Sequence, residues 1–205
     1  MTRAFALLAA AAVVVGLAVG GFVALRGTGA DRFADCREGV VAGTAAIGGP
    51  FTLRDSAGRR VSEAEAITRP TLVYFGYTFC PDICPTDVAR NSLAAEALAE
   101  RGIDVGQVFI TIDPERDTHD VLREFTSAID PALVGLTGSA DEIAAAAGAY
   151  RVYYRKASED DEYYLMDHST FTYLMAPEVG FLEVFSSDAS PDAVADAVAC
   201  FAARL

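Results

Sequence analysis

The sequence that decides the fold is LVYFGYTFCPDICP, residues 72–85. It starts with an apolar run that ends at Gly76, a pattern typical of a strand buried on both faces of a sheet. Cys80 and Cys84 follow soon after, and each is itself followed by a proline. The stretch therefore predicts a buried strand that leads through a short turn into a helix, with two thiols at the junction.

Strand and helix patterns alternate on both sides of this junction. Strands are predicted at 51–53, 60–61, 71–75, 105–112, 133–136, 151–155, 170–175 and 181–185, and helices at 87–101, 121–129, 139–147 and from Ser190 onward. This order predicts an α/β fold around one mixed sheet, and a thioredoxin-like fold matches it. Thioredoxins place two residues between their cysteines, whereas this chain has three, which favours metal binding over pure thiol exchange.

The N-terminal segment has a different character from the rest of the chain. Residues 4–25 form an apolar run between Arg3 and Arg26, and at about 1.5 Å per residue this run is long enough to cross a bilayer core of about 30 Å. We therefore predict a single-pass membrane anchor at 1–26, a Gly- and Ala-rich linker at 27–48, and the thioredoxin-like domain at 49–205.

Two alternatives to an uncleaved anchor fit the sequence less well. A cleavable signal peptide has a shorter apolar region, of roughly 7–15 residues, and Arg26 interrupts the approach to the small residues that follow it. A lipoprotein is disfavoured because polar residues precede Cys36 where small apolar residues are needed.

The chain outside the predicted anchor is strongly acidic. Residues 27–205 contain 14 basic and 29 acidic side chains, which gives a net charge of −15 there and −13 for the whole chain. Nucleic acid and anionic lipid repel such a domain, so no nucleic-acid partner is expected. Most of the acidity is explained by solubility.

The remaining cysteines are Cys36, just beyond the predicted anchor, and Cys200, in the predicted last helix. An even number of cysteines behind an export segment is typical of an oxidising compartment. We predict that the two pair and tie the N-terminal segment to the C-terminal helix; the alternative is two buried free thiols.

Cys80 and Cys84 lie one helical turn apart if both belong to the helix. So placed, two thiolates could bind one metal ion at about 2.3 Å, or close a disulfide if Cys80 lies in the turn. The helix N-terminus lowers the pKa of a nearby thiol in either case. Asp82, between the two, adds negative charge near a bound cation.

A third ligand has to come from elsewhere in the chain, which contains two histidines. His168 directly precedes a predicted strand, in the loop that faces the cysteine turn in a thioredoxin-like fold and holds a cis-proline in thioredoxins. We predict that His168 completes the site and that Asp167 either orients its ring or supports the ligands from just outside them. His119 is predicted to be exposed and without a catalytic role. Two thiolates and an imidazole suit Cu(I) better than structural zinc, which prefers four protein ligands.

Three motifs in order give the chain its resemblance to the Sco/SenC family of copper-delivery proteins. They are YFGYTFCPDICP at 74–85, TIDPERDT at 111–118, and DHS at 167–169 followed by YLM at 173–175. The resemblance runs from about residue 49 to residue 185. His119 and the pair Cys36 and Cys200 depart from the family pattern, and the segment around Asp113 has no sharp physical role from sequence beyond shaping its loop.

The resemblance implies copper, as Cu(I) or Cu(II), bound by Cys80, Cys84 and His168. It implies a membrane-tethered copper chaperone whose domain faces the bacterial periplasm or, as the second choice, the mitochondrial intermembrane space. The implied partners are subunit II of cytochrome c oxidase, with its dinuclear copper centre, and another copper carrier. A thiol:disulfide oxidoreductase acting through Cys80 and Cys84 is the alternative, and a cysteine peroxidase is disfavoured.

Overall fold

The computed structural model of this chain describes residues 32–37, 47–158 and 163–205. The chain divides into two units, Met1–Asp35 and Cys36–Leu205. The strands are β1 Thr52–Asp55, β2 Arg60–Ser62, β3 Thr71–Gly76, β4 Gly106–Thr111, β5 Val134–Thr137, β6 Tyr154–Lys156, β7 Met166–His168, β8 Thr172–Ala176 and β9 Gly180–Phe185. The helices are α1 Glu63–Ala66, α2 Ile83–Glu100, α3 His119–Ile129, α4 Ala140–Ala149 and α5 Pro191–Ala202, besides a 3-10 turn at Ala34–Cys36.

Seven strands form the main sheet in the order β2-β1-β5-β4-β3-β8-β9. β3, β4 and β5 run parallel, and the strands on either side of them pair antiparallel. Every residue of β3 and β4 is buried, as expected for strands covered on both faces. The predicted mixed sheet and the thioredoxin-like α/β fold are confirmed, and the carboxyl end of β3 delivers the cysteine turn from the middle of the sheet.

The hairpin β6–β7 forms a second, two-stranded sheet of its own. Here the sequence-based expectation was partly wrong, because the strand predicted at 151–155 begins at Tyr154. Arg151 has a φ of 57°, a left-handed conformation that an extended strand does not contain. The short strand β7 was not predicted.

The helix after the cysteine turn begins at Ile83, four residues before the predicted start at Asp87. Pro85 is compatible with this, since the first turn of a helix has no intrahelical partner for its N–H groups. A capping box opens α4, in which Ser139 and Glu142 are bonded reciprocally. Because α2 begins at Ile83, Cys84 is helical, whereas Cys80 lies in the turn before the helix.

Cys36 and Cys200 form a disulfide, with their Cα atoms 5.6 Å apart, so the predicted pairing is confirmed. The predicted anchor, most of the linker and most of the acidic loop at 158–162 lie outside the described residues. Within the described ranges, no helix is both long and apolar enough to cross a membrane.

Candidate metal centre

The two free thiols differ in their surroundings. Cys84, the second residue of α2, is fully buried, whereas Cys80 is half-buried in the preceding turn. The backbone N–H of Cys84 points back at Sγ of Cys80, 3.3 Å away. The strand–turn–helix junction thus brings the thiols together with one of them accessible from solvent.

His168, the last residue of β7, brings the third donor atom to this junction. Its Nε2 lies 3.4 Å from Sγ of Cys84, and its Nδ1 lies 2.9 Å from the carbonyl oxygen of Ser169. A carbonyl oxygen only accepts hydrogen bonds, so we assign the proton to Nδ1. This tautomer turns the lone pair of Nε2 towards Cys84, which is the arrangement that metal ligation requires.

The donor atoms of Cys80, Cys84 and His168 all lie within 4.8 Å of one another. Two thiolates and a neutral imidazole are soft and borderline donors that suit Cu(I) and zinc. The predicted residues are therefore brought together, and the site would need only small shifts to contract around one ion.

The thiols also differ in acidity. The hydrogen bond from the thiol of Cys84 lowers the pKa of Cys80, to about 3, and further hydrogen bonds from the backbone of Cys84 and Asp82 act in the same direction. The pKa of Cys84 is raised, first by this bond to Cys80 and then by burial. The free site therefore holds one thiolate, at Cys80, and one thiol proton, at Cys84.

Aromatic rings enclose the imidazole. Tyr77 and Tyr74 approach His168 edge-on, with ring centroids 5.8 and 6.4 Å away. Gly76 leaves room on the sulfur side, because a Cβ at this position would lie 3.0 Å from Sγ of Cys84. Packing therefore holds Cys84 and the partly buried His168 in place before any ion binds.

Two sequence-based predictions about residues outside the donor group were wrong. Asp167 does not orient His168: it forms an ion pair with Arg155 at 2.9 Å, and the Ser169 carbonyl takes the orienting role. Asp167 alternates with His168 along β7, so its side chain points to the other face. His119 is partly buried rather than exposed, and it is not part of the donor group. Asp82 is exposed and makes no capping hydrogen bond to α2.

Sequence reasoning missed the role of the segment after β4. The buried Asp117 carboxylate accepts hydrogen bonds from the N–H and hydroxyl of Thr78 and from the hydroxyl of Thr111. Asp113 accepts from Arg116 Nε at 2.5 Å and from the Tyr164 hydroxyl at 2.8 Å. A sequence signal for this role existed: the motif at 111–118 concentrates charged residues directly after a buried strand.

The fold and the site together define a thioredoxin-like domain that presents a Cys–Cys–His donor group at the end of its central strand. The family model described as SCO1/SenC matches residues 40–203. Protein SenC of Rhodobacter capsulatus is 50% identical over 200 residues, which covers 98% of this chain and 90% of that protein.

Two solved structures with copper bound share the fold. ScoI of Arabidopsis thaliana is 44% identical with a TM-score of 0.72, covering 76% of this chain and 98% of that chain. ScoI of Bradyrhizobium japonicum is 39% identical with a TM-score of 0.69, covering 78% of this chain and 100% of that chain. The chain belongs to the SCO1/SenC family, as its three motifs predicted.

Proposed function

We propose that this protein binds copper through Cys80, Cys84 and His168 and acts as a membrane-tethered copper chaperone. It delivers the ion to the dinuclear copper centre of cytochrome c oxidase subunit II, and another copper carrier supplies it. The observation that carries the proposal is the convergence of these three donor atoms within 4.8 Å of one another. Copper bound in two structures of relatives supports the choice of ion.

The donor set suits transfer as well as binding. Thiolates favour Cu(I), and three protein ligands leave one side of the ion open to an incoming donor. Cys80, half-buried and already a thiolate, is the ligand that a partner's thiolate would replace first. Cys84 and His168, held by packing, would retain the ion until the exchange is complete.

The proposed setting is the periplasmic side of a bacterial membrane, with the anchor at 1–26, the linker at 27–48 and the domain at 49–205; the mitochondrial intermembrane space is the second choice. The disulfide between Cys36 and Cys200 supports an oxidising compartment. Acidic residues outnumber basic ones 29 to 16, which also argues against nucleic acid as a partner.

A competition titration with Cu(I) tests the metal site. The reduced protein, with and without the substitution His168→Ala, is titrated against a chromophoric Cu(I) chelator of known affinity. Loss of the imidazole should weaken Cu(I) binding about 10-fold or more, since disturbing even an outer-shell partner costs 10–100-fold. His119→Ala, which removes the other histidine, is the matched control and should change the affinity less than about two-fold. Equal affinity for H168A and the unchanged protein would refute the proposed ligand set.

Exposed apolar side chains at the cysteine turn support a protein as the recipient of copper. Phe79, which directly precedes Cys80, is 57% exposed, and Ile83, which directly precedes Cys84, is 41% exposed. Exposed apolar groups beside a binding site are typical of protein contact surfaces. Ile83→Ser should leave Cu(I) affinity unchanged but slow copper transfer to the purified soluble domain of subunit II. An unchanged transfer rate would argue against this contact.

A thiol:disulfide oxidoreductase is the second candidate, because an accessible thiolate beside a buried partner thiol is also what disulfide exchange requires. In this case the reduced protein should reduce a disulfide of subunit II's soluble domain, and H168A should retain the rate. If the reduced protein does not reduce this disulfide, and H168A has lost Cu(I) binding, the chaperone is favoured.

A further inference from the structure

The three donors come from two separate parts of the fold, which belong to different sheets. Cys80 and Cys84 follow β3 of the main sheet, whereas His168 ends β7 of the separate two-stranded sheet. The distance between the thiols and the imidazole therefore depends on how the hairpin β6–β7 is held against the cysteine turn. The contacts that hold it are as important to the site as the donors.

Tyr164, two residues before β7, attaches the hairpin to the segment after β4. Its ring is nearly fully buried, its hydroxyl donates to Asp113 at 2.8 Å, and its carbonyl oxygen accepts from Arg116 Nη1 at 2.9 Å. The guanidinium carbon of Arg116 lies 3.5 Å from the centroid of the same ring, well within the range of a cation–π contact. Arg116 thus contacts both the backbone and the ring of Tyr164, which lies in the segment that leads into β7.

The same guanidinium also contacts the cysteine turn. It lies 4.7 Å from the ring centroid of Phe79, the residue before Cys80. Its Nε bonds to Asp113, and its Nη2 is buried and has no hydrogen-bond partner among the described residues. This edge of the cation is therefore compensated mainly by Asp113 and the aromatic rings. The side chain of Arg116 therefore touches both the turn with the thiols and the segment that leads to the imidazole.

We propose that Arg116 is a positioning residue for the copper site, which sets the place of His168 relative to Cys80 and Cys84. It acts by clamping the segment at Tyr164 onto the cysteine turn, with Asp113 fixing the guanidinium. The inference rests on the proposed copper function, and it assigns a task to a charged side chain that is not itself a ligand. Because a guanidinium stacks and donates in one plane, lysine should replace it poorly.

A double-mutant cycle separates positioning from a general structural effect. Cu(I) affinity is measured for the unchanged protein, R116A, H168A and the double variant, with the fold of each checked by circular dichroism. We expect R116A to weaken binding about 10-fold, the lower end of the effect of outer-shell partners. In the H168A background, R116A should weaken Cu(I) binding less than about two-fold, because the imidazole that Arg116 positions is absent. R123A, which removes an exposed guanidinium paired with Asp120, is the matched control and should leave affinity unchanged.

Tyr164→Phe keeps the proposal testable if R116A does not fold. It removes the hydroxyl that donates to Asp113 but keeps the ring under the guanidinium, and we expect a weakening of Cu(I) binding of about three-fold that also disappears in the H168A background. In the Cu(II)-loaded protein, nitrogen hyperfine coupling in the electron paramagnetic resonance spectrum should weaken in R116A and vanish in H168A. For R116K, the change in log Kd for Cu(I) should be more than half of the change that R116A causes.

The outcomes distinguish this inference from the proposed function. Equal affinity of H168A and the unchanged protein refutes the ligand set itself. If H168A binds weakly but R116A and Y164F bind as the unchanged protein does, the positioning role alone is overturned. An equal loss from R116A in both backgrounds also overturns it, because a positioning effect must depend on His168.

Discussion

Sγ of Cys84 lies 3.4 Å from Nε2 of His168, although 84 positions separate the two residues in the chain. Local structure alone places the sulfur, since it sits in the first turn of α2 directly after the cysteine turn. The nitrogen arrives on a separate hairpin, and the Ser169 carbonyl fixes its tautomer. The site therefore combines two thiols that local structure places with an imidazole whose position depends on tertiary contacts.

The first prediction concerns the reactivity of the two thiols. In the reduced native protein at pH 6, iodoacetamide should alkylate Cys80 and spare Cys84. The pKa of Cys80 is lowered by the hydrogen bond from Cys84, so its thiolate persists as the pH falls; the pKa of Cys84 is raised, and its side chain is buried. Peptide mass mapping after timed quenching measures both rates.

The unfolded protein in urea provides the control for this prediction. There both thiols should titrate near the ordinary cysteine value of about 8.5 and react slowly at pH 6. Faster labelling of Cys84 than of Cys80 in the native protein would contradict the assigned asymmetry.

The second prediction concerns the space beside the buried sulfur. A Cβ on Gly76 would lie 2.8 Å from Cε1 of Tyr74 and 3.0 Å from Sγ of Cys84. Gly76→Ala should therefore reduce the free energy of unfolding by about 1–3 kcal/mol, the typical cost of overpacking a core. It should also weaken Cu(I) binding, because Cys84 has to move. Denaturant unfolding and chelator competition measure the two effects.

Gly148→Ala is the matched control for the change at Gly76. Beyond its neighbours in the chain and the backbone of α4, no described residue has a heavy atom within 4 Å of a Cβ added there. The gain in helix propensity should therefore stabilise the protein by up to about 1 kcal/mol without affecting copper. The same sign of stability change in both variants would contradict the packing argument.

The cysteine turn could be predicted from sequence because its determinants are local. The pattern of a buried apolar strand, a turn and closely spaced thiols predicts the strand–turn–helix junction directly. The strand predicted at 71–75 matches β3 to within one residue. The helix was predicted to begin too late, because Pro85 is a weak helix signal although it is tolerated in the first turn. Tertiary contacts were not needed to find the thiols.

The supporting residues of the imidazole could not be predicted in this way. Asp167 was expected to orient His168 because it is adjacent in sequence, but neighbouring residues of a strand face opposite sides. The pair Asp113 and Tyr164 is 51 residues apart, and no periodicity links the two. Contacts of this kind depend on how the hairpin packs, which the local pattern does not encode.

The third prediction concerns Asp117, which links the cysteine turn to the end of β4. Its buried carboxylate accepts from Thr78 N–H at 3.0 Å, and from the hydroxyls of Thr78 and Thr111 at 2.5 Å each. Asp117→Ala leaves these donors without their partner and should lower the free energy of unfolding by at least about 2 kcal/mol. Asp120→Ala, at a side chain 81% exposed, should cost less than about 0.5 kcal/mol.

The pH dependence of stability tests the environment of the same carboxylate. Burial raises the pKa of Asp117 above its ordinary value, so the folded state binds this proton more tightly than the unfolded state does. Its contribution to stability is therefore complete at pH values below the unfolded pKa and is lost as the pH rises through the folded pKa. The difference in unfolding free energy between D117A and the unchanged protein should shrink as the pH rises from the unfolded pKa of about 3.9 towards neutrality. A difference that grows over this range would contradict the burial argument.

The last prediction concerns the disulfide between Cys36 and Cys200, which are separated by 164 positions in the chain. Closing so long a loop restricts the unfolded chain strongly, so the double substitution C36S/C200S should reduce the free energy of unfolding by about 2–4 kcal/mol. Copper affinity should stay within about two-fold, because neither cysteine belongs to the Cys80, Cys84 and His168 group. Chemical denaturation and chelator competition on the same preparation measure both quantities, and mild reduction of the unchanged protein should reproduce the loss of stability. A fall in copper affinity without a fall in stability would mean that the disulfide acts on the site itself rather than on the unfolded chain.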